Sequence, residues 1–213
     1  MPVALIWRTA GEAWRARPVR PAWVCEPQYE GAEIGGSGSP ADVRVAEWWA
    51  VLGGGTAGQV YGRVGVYNFA PSAGPWGPHW RAALDSPGAR HMSHQFALWN
   101  SMPWWRLRPA GAGPDELGAD LVAEGQGDGL RHIAAAGTPD GAWTVAYVPN
   151  RDAAREFAVD GALLRTDADA AWFDPTCGRE RPAGRVAAGA VARFVTPGRN
   201  AAGDLDWVLV LRG

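Results

Sequence analysis

The texture of the sequence changes once, near residue 107, and that change sets what the chain can fold into. Before it, apolar residues at helical spacing alternate with short extended runs. After it come short strand-like runs at near-regular spacing. They are separated by the turn signals Gly-Asp-Gly at 127–129, Pro-Asp-Gly at 139–141, Pro-Asn-Arg-Asp at 149–152, Asp-Gly at 160–161 and Asp-Pro-Thr-Cys-Gly at 174–178. The first texture predicts parallel strands joined by helices, the second a small antiparallel β-sandwich. The expected fold class is α/β followed by all-β, with the two units over 1–106 and 107–213. With 213 residues, the chain can bury enough surface to fold without staples.

Within the first unit, Val3–Ala16 reads as a helix ended by Pro18 and Pro21, followed by a strand over Ala22–Cys25. Pro27 breaks that strand and leaves Glu26 at its C-terminal end. The Gly/Ser-rich run 31–40 reads as a loop over Glu26. Asp42 is placed to cap the next helix, with Val45, Trp48, Trp49 and Leu52 on one side, Glu47 pointing away from them, and Gly53–Gly55 as the stop. Gln59–Asn68 reads as a second buried strand. Ser86 and Pro87 open a further helix running to about Ser101. The last strand of the second unit is Asp206–Arg212. Two parallel strands close nothing, and a (β/α)8 barrel takes about 250 residues. The first unit is thus either a smaller layered fold or the tail of a barrel.

Composition excludes several partners. Charged residues make up 20% and the net charge is −2, and the arginines are scattered, so no field marks nucleic acid or an anionic membrane. No apolar run reaches the length of a membrane span, and the N-terminus lacks the layout of an export signal, so a soluble chain is expected with its compartment undecided. Cys25 and Cys177 form neither a disulfide framework nor a metal spacing. His91 and His94 stand at i, i+3 without a third ligand, and the glycine runs lack the motifs that cradle phosphate, so no metal or cofactor is expected.

The remaining chemistry is a carboxylate at a strand end. Glycosidases use two carboxyl groups, about 5–5.5 Å apart in the retaining class. Glu26 is a candidate for one of them. Glu30 is a poor second, because four extended residues span ~13 Å. Asp42, Glu47 and Asp85 have structural readings as cap, helix face and turn, so the acid is expected from elsewhere. Of the thirteen Trp, Trp76 and Trp80 lie where they could stack on sugars or cover the core. Trp48, Trp49, Trp104 and Trp105 read as packing, and Trp172 as facing inward.

Several segments together resemble one family: Glu26-Pro-Gln-Tyr-Glu-Gly31, Leu84-Asp-Ser-Pro-Gly-Ala-Arg90, Pro103-Trp-Trp-Arg-Leu107, Trp172-Phe-Asp-Pro175 and Asp206-Trp-Val-Leu-Val-Leu211. The chain resembles the C-terminal part of the apiosidase-like glycoside hydrolases, whose (β/α)8 barrel precedes a β-sandwich named for collagen binding. The resemblance implies the last two barrel strands plus the sandwich. It makes Glu26 the catalytic nucleophile and places Tyr29, Glu30, Tyr61 and Tyr67 in the substrate cleft. Tyr67 stands where the family usually has Trp, and Cys25 where it has a small residue. The implied substrate is a plant-type oligosaccharide, and the implied association is with the missing barrel half or a second copy. The alternative from the residues alone is a non-catalytic sandwich that binds carbohydrate or protein, or only buttresses a neighbour.

Overall fold

The computed structural model describes residues 5–32, 38–55, 57–74, 77–111 and 120–213. Helix α1 (Ile6–Arg15) leads to β1 (Tyr29–Glu30), α2 (Pro40–Leu52), β2 (Gly62–Arg63), α3 (Trp80–Ala83) and α4 (Pro87–Asn100). β1 and β2 pair in parallel, Tyr29 against Gly62 and Glu30 against Arg63, and one further parallel bridge joins Val24 to Gln59. The parallel pair is therefore shorter and later than the sequence pattern suggests. Ala22–Cys25 contributes only the bridge at Val24, and residues 64–69 turn away where the second strand was expected to continue.

From Arg108 onward the chain is antiparallel. One sheet has the order β3 (Arg108–Pro109), β5 (Ala134–Gly137), β6 (Trp143–Val148), β11 (Trp207–Arg212), β8 (Ala168–Phe173) and β9 (Glu180–Val186). The other has the order β10 (Val191–Val195), β7 (Glu156–Asp160) and β4 (Val122–Glu124). The chain is thus a mixed α/β part followed by a sandwich of antiparallel sheets.

The central strands β6 and β11 of the six-stranded sheet are buried on both faces. Side chains alternate along a strand, so Val145 and Tyr147 of β6 and Val208 and Val210 of β11 join α1, α2 and α4 in one core. Their neighbours Ala146, Val148, Leu209 and Leu211 join Phe157, Phe194 and Trp172 in a second core against the three-stranded sheet. This double burial is why β6 and β11 read as unbroken apolar runs instead of alternating ones. Trp48 stacks on Tyr147 with ring centroids 5.7 Å apart and planes 2° from parallel.

Helix α2 lies between layers. The hydroxyl of Ser39, not Asp42, caps it by accepting from the Asp42 N–H at 3.1 Å, and Pro40 fills the first turn. Every residue from Asp42 to Leu52 is buried. Glu47 therefore does not point to solvent as the periodicity suggests: it is 0% exposed, and neither carboxyl oxygen has a hydrogen-bond partner among the described residues. Burial alone holds its carboxyl well above the usual range. Trp105, expected in the packing, is 65% exposed, whereas Trp48, Trp49 and Trp172 are buried as expected. No described helix is long and apolar enough to cross a membrane.

Candidate active site

Glu26 is exposed and adopts a φ of 55°. For a residue with a Cβ this left-handed conformation costs about 1–2 kcal/mol, and such outliers collect at functional sites. Pro27 and Gln28 behind it are buried, so the chain is anchored directly after the turn and the carboxylate is presented outward. Partial burial, and then the neighbouring Glu26 carboxylate, push the Tyr29 phenol up. Its ring lies over Gly62, where a Cβ would come 1.6 Å from the ring. Tyr67 stacks on it at 5.0 Å. Tyr29, Tyr61, Arg63 and Tyr67 line a cleft of about 290 Å³ closed by Ala83, Leu84 and Ala89.

Glu30 is held inward. Its Oε2 accepts from the Tyr61 hydroxyl at 2.6 Å, the Ser86 hydroxyl at 2.8 Å and the Gly88 N–H at 3.1 Å. It is 4% exposed, and it lies at the N-terminal end of α4, where a negative charge is favoured. Burial, then the bond to Glu30, pushes the Tyr61 phenol up. Nothing in the sequence marks Ser86 and Gly88 as partners of Glu30. Their only signal was the Ser-Pro-Gly helix opening, which says cap and not which carboxylate is gripped.

Glycine at 88 has a specific reason. An alanine Cβ there would sit 2.3 Å from Glu30 Oε2. Gly→Ala inside a helix ordinarily stabilises by about 1 kcal/mol; Gly88→Ala instead destabilises, because it displaces a buried carboxylate from three donors, a loss of about 1–3 kcal/mol. A urea midpoint that rises in Gly88→Ala would disprove this packing.

Of the proposed site residues, Tyr29, Tyr61 and Tyr67 line this cleft, whereas Glu26, Glu30 and Trp80 are not in its lining. Trp80 opens α3, half-buried, with the Arg81 guanidinium 4.2 Å over its ring and Phe69 at 5.6 Å. Trp76 and part of the Gly/Ser loop lie outside the described residues. Among the alternative acids, Asp42 pairs with Arg151, Asp85 is exposed and pairs with Arg90, and Glu47 is sealed in the core. His91 Nδ1 accepts from Arg44 Nη1 at 3.0 Å, and no three His, Cys, Asp or Glu among the described residues group as metal ligands. Cys25 and Cys177 are free thiols. A larger cavity of about 440 Å³ lies elsewhere, between α1 and the sandwich, beside Trp7, Arg15, Asp120 and His132; Glu26 is not in its lining.

Comparison with known proteins places these halves. Residues 4–106 match the family described as "Apiosidase-like, catalytic domain". Residues 114–212 match that described as "Putative collagen-binding domain of a collagenase". A solved structure titled "Glycoside hydrolase" superposes with a TM-score of 0.78 at 22% identity, over 98% of this chain and 46% of its own. A glycoside hydrolase family 5 structure from Bacteroides vulgatus ATCC 8482 gives a TM-score of 0.78 at 19% identity, over 98% and 45%. The chain therefore spans about half the length of the solved structures it matches, and at these identities the likeness is one of fold. No curated protein matches it. Residues 4–106 thus match an apiosidase-like catalytic domain, and residues 114–212 match a C-terminal domain of the kind named for collagen binding.

Proposed function

We propose that this chain supplies the nucleophile side of a glycoside hydrolase site that acts on plant-type oligosaccharides, with Glu26 attacking the anomeric carbon. The observation that carries this reading is the presentation of Glu26. It is exposed, held in a left-handed turn between the Val24 bridge and buried Pro27, and its carboxylate acts on the Tyr29 phenol beside it. Tyr61 and Tyr67 offer apolar ring faces of the kind sugars stack on. The proton donor comes from a barrel strand beyond these residues, since each nearby carboxyl has another role. The sandwich acts as a buttress, because one face of its larger sheet forms the bed for α1, α2 and α4.

A nucleophile without a proton donor still reacts with a leaving group that needs no proton. A panel of 2,4-dinitrophenyl glycosides incubated with the full chain is expected to leave a glycosyl ester on Glu26. In that step the carboxylate oxygen bonds to the anomeric carbon as dinitrophenolate departs with the electron pair, and water later cleaves the ester. Alkyl glycosides, whose leaving oxygen must be protonated, turn over more slowly by about 10²–10⁴-fold. Peptide mapping by mass spectrometry locates the adduct. An adduct on another residue, or one that persists in Glu26→Gln, removes Glu26 from the role.

A further inference from the structure

We propose that Asp206, a residue of the sandwich, is a positioning residue for the Glu26 site, acting through Arg44 and the first turns of α4. The proposal rests on the reading that Glu26 and Tyr61 belong to one site. The connection is a run of buried polar contacts. Asp206 Oδ2 and Oδ1 accept from Arg44 Nε at 2.7 Å and Nη2 at 2.6 Å, and Oδ2 also accepts from the Tyr147 hydroxyl at 2.7 Å. Arg44 spends its remaining arm on His91 Nδ1 at 3.0 Å. A guanidinium only donates, so His91 carries its proton on Nε2. One turn toward the N-terminus of the same helix, Gly88 and Ser86 grip Glu30 Oε2, which in turn accepts from Tyr61.

Each link is sealed from water: Arg44 is 0% exposed, and Asp206, Glu30, Ser86 and His91 are all at 6% or less. Such contacts are either made or broken, because a buried charge cannot be left unpaired. Arg44 also contacts Asp204 Oδ2 at 2.8 Å, which lies in the same sandwich turn. The lateral and rotational setting of α4 is therefore fixed by the sandwich at His91, and the same helix grips Glu30, and through it Tyr61, from Gly88 and Ser86, three and five residues away.

The test compares the full chain carrying Asp206→Asn, Tyr147→Phe or Phe157→Leu, the last a control in the second core away from this route. Tyr61 is followed by the NMR resonances of its labelled ring, and the Gly88 amide by hydrogen exchange. Asp206→Asn is expected to shift the Tyr61 resonances and to speed Gly88 exchange by roughly tenfold or more. Tyr147→Phe, which keeps the Arg44–Asp206 pair, is expected to do the same to a smaller extent and carries the test if the first variant does not fold. Phe157→Leu is expected to move neither. Unmoved Tyr61 and Gly88 signals in folded Asp206→Asn or, failing that, in Tyr147→Phe overturn the proposal, as do equal changes in Phe157→Leu. Neither readout involves turnover, so the coupling stands or falls separately from the role of Glu26.

Discussion

Arg44→Met is expected to lower the unfolding free energy by about 3–5 kcal/mol, because it strips the buried Asp206 of its counter-charge. For a chain of this size that is a melting midpoint lower by roughly 6–20 °C. Burial opposes charge on both groups, yet each holds the other ionised: Arg44 is pushed up by Asp206, and Asp206 is kept below the usual carboxylate range by Arg44. Adding Asp206→Asn to Arg44→Met removes the orphaned charge and is expected to restore about half of the loss. The cluster also sets an acid limit. His91 is pulled down to about 4 by burial and by Arg44. The unfolded chain therefore takes up that proton near pH 6.5 while the folded chain refuses it, and stability falls as pH drops from about 6.5 towards the folded value. His132, also lowered to about 4, acts in the same direction. Calorimetry of the single and double variants decides the matter: a single variant within about 1 kcal/mol of the parent means that the pair does not hold the halves together.

Glu47→Met has the opposite sign and is expected to stabilise the protein, by at least about 2 kcal/mol at pH 7. The side chains are similar in length, the helix is retained, and two buried oxygens without partners are replaced by a thioether that needs none. The pH dependence follows from burial pushing the carboxyl up. Below the unfolded value both states are protonated and nothing is lost. Above it the unfolded state releases a proton that the folded state keeps, which costs up to about 1.4 kcal/mol per pH unit until the folded group ionises. Glu47→Gln, which cannot ionise, is expected to flatten that slope without restoring the full gain. Denaturation between pH 4 and 8 measures both effects. A less stable Glu47→Met, or an unchanged slope in Glu47→Gln, would show that the carboxyl has partners the fold does not reveal.

Legibility in the sequence followed the range of the interactions. Ser86 and Pro87 announce the start of α4 correctly, because Pro at the first helical position is a local signal, although the Ser86 hydroxyl goes to Glu30 and makes no cap hydrogen bond. The glycines after Leu52 stop α2 where expected, and the turn signals from 127 onward divide the sandwich strands. Glu47 was misplaced because periodicity assumes that a helix has a wet side, and α2, wedged between α1, α4 and the sheet, has none. Arg44 gave no sign either: its partners lie 47 to 162 residues away, and an arginine beside an apolar stripe ordinarily reads as surface. At the proposed site, the strand–Glu–Pro pattern points to Glu26. That Glu30 faces inward is set by Tyr61, Ser86 and Gly88, which only the tertiary fold brings together.

The two cores either side of the larger sheet mean that the family boundary near residue 106 is not a line along which the molecule can be divided. Severed there, the C-terminal piece would present Val145, Tyr147, Val208 and Val210 to water as an oily slab, with Asp206 unneutralised at its end. Any chimera that grafts this module onto another catalytic unit must bring its own α2 and α4, or supply helices shaped to the same bed. The unit that recombination can move is the sheet together with the helices lying on it.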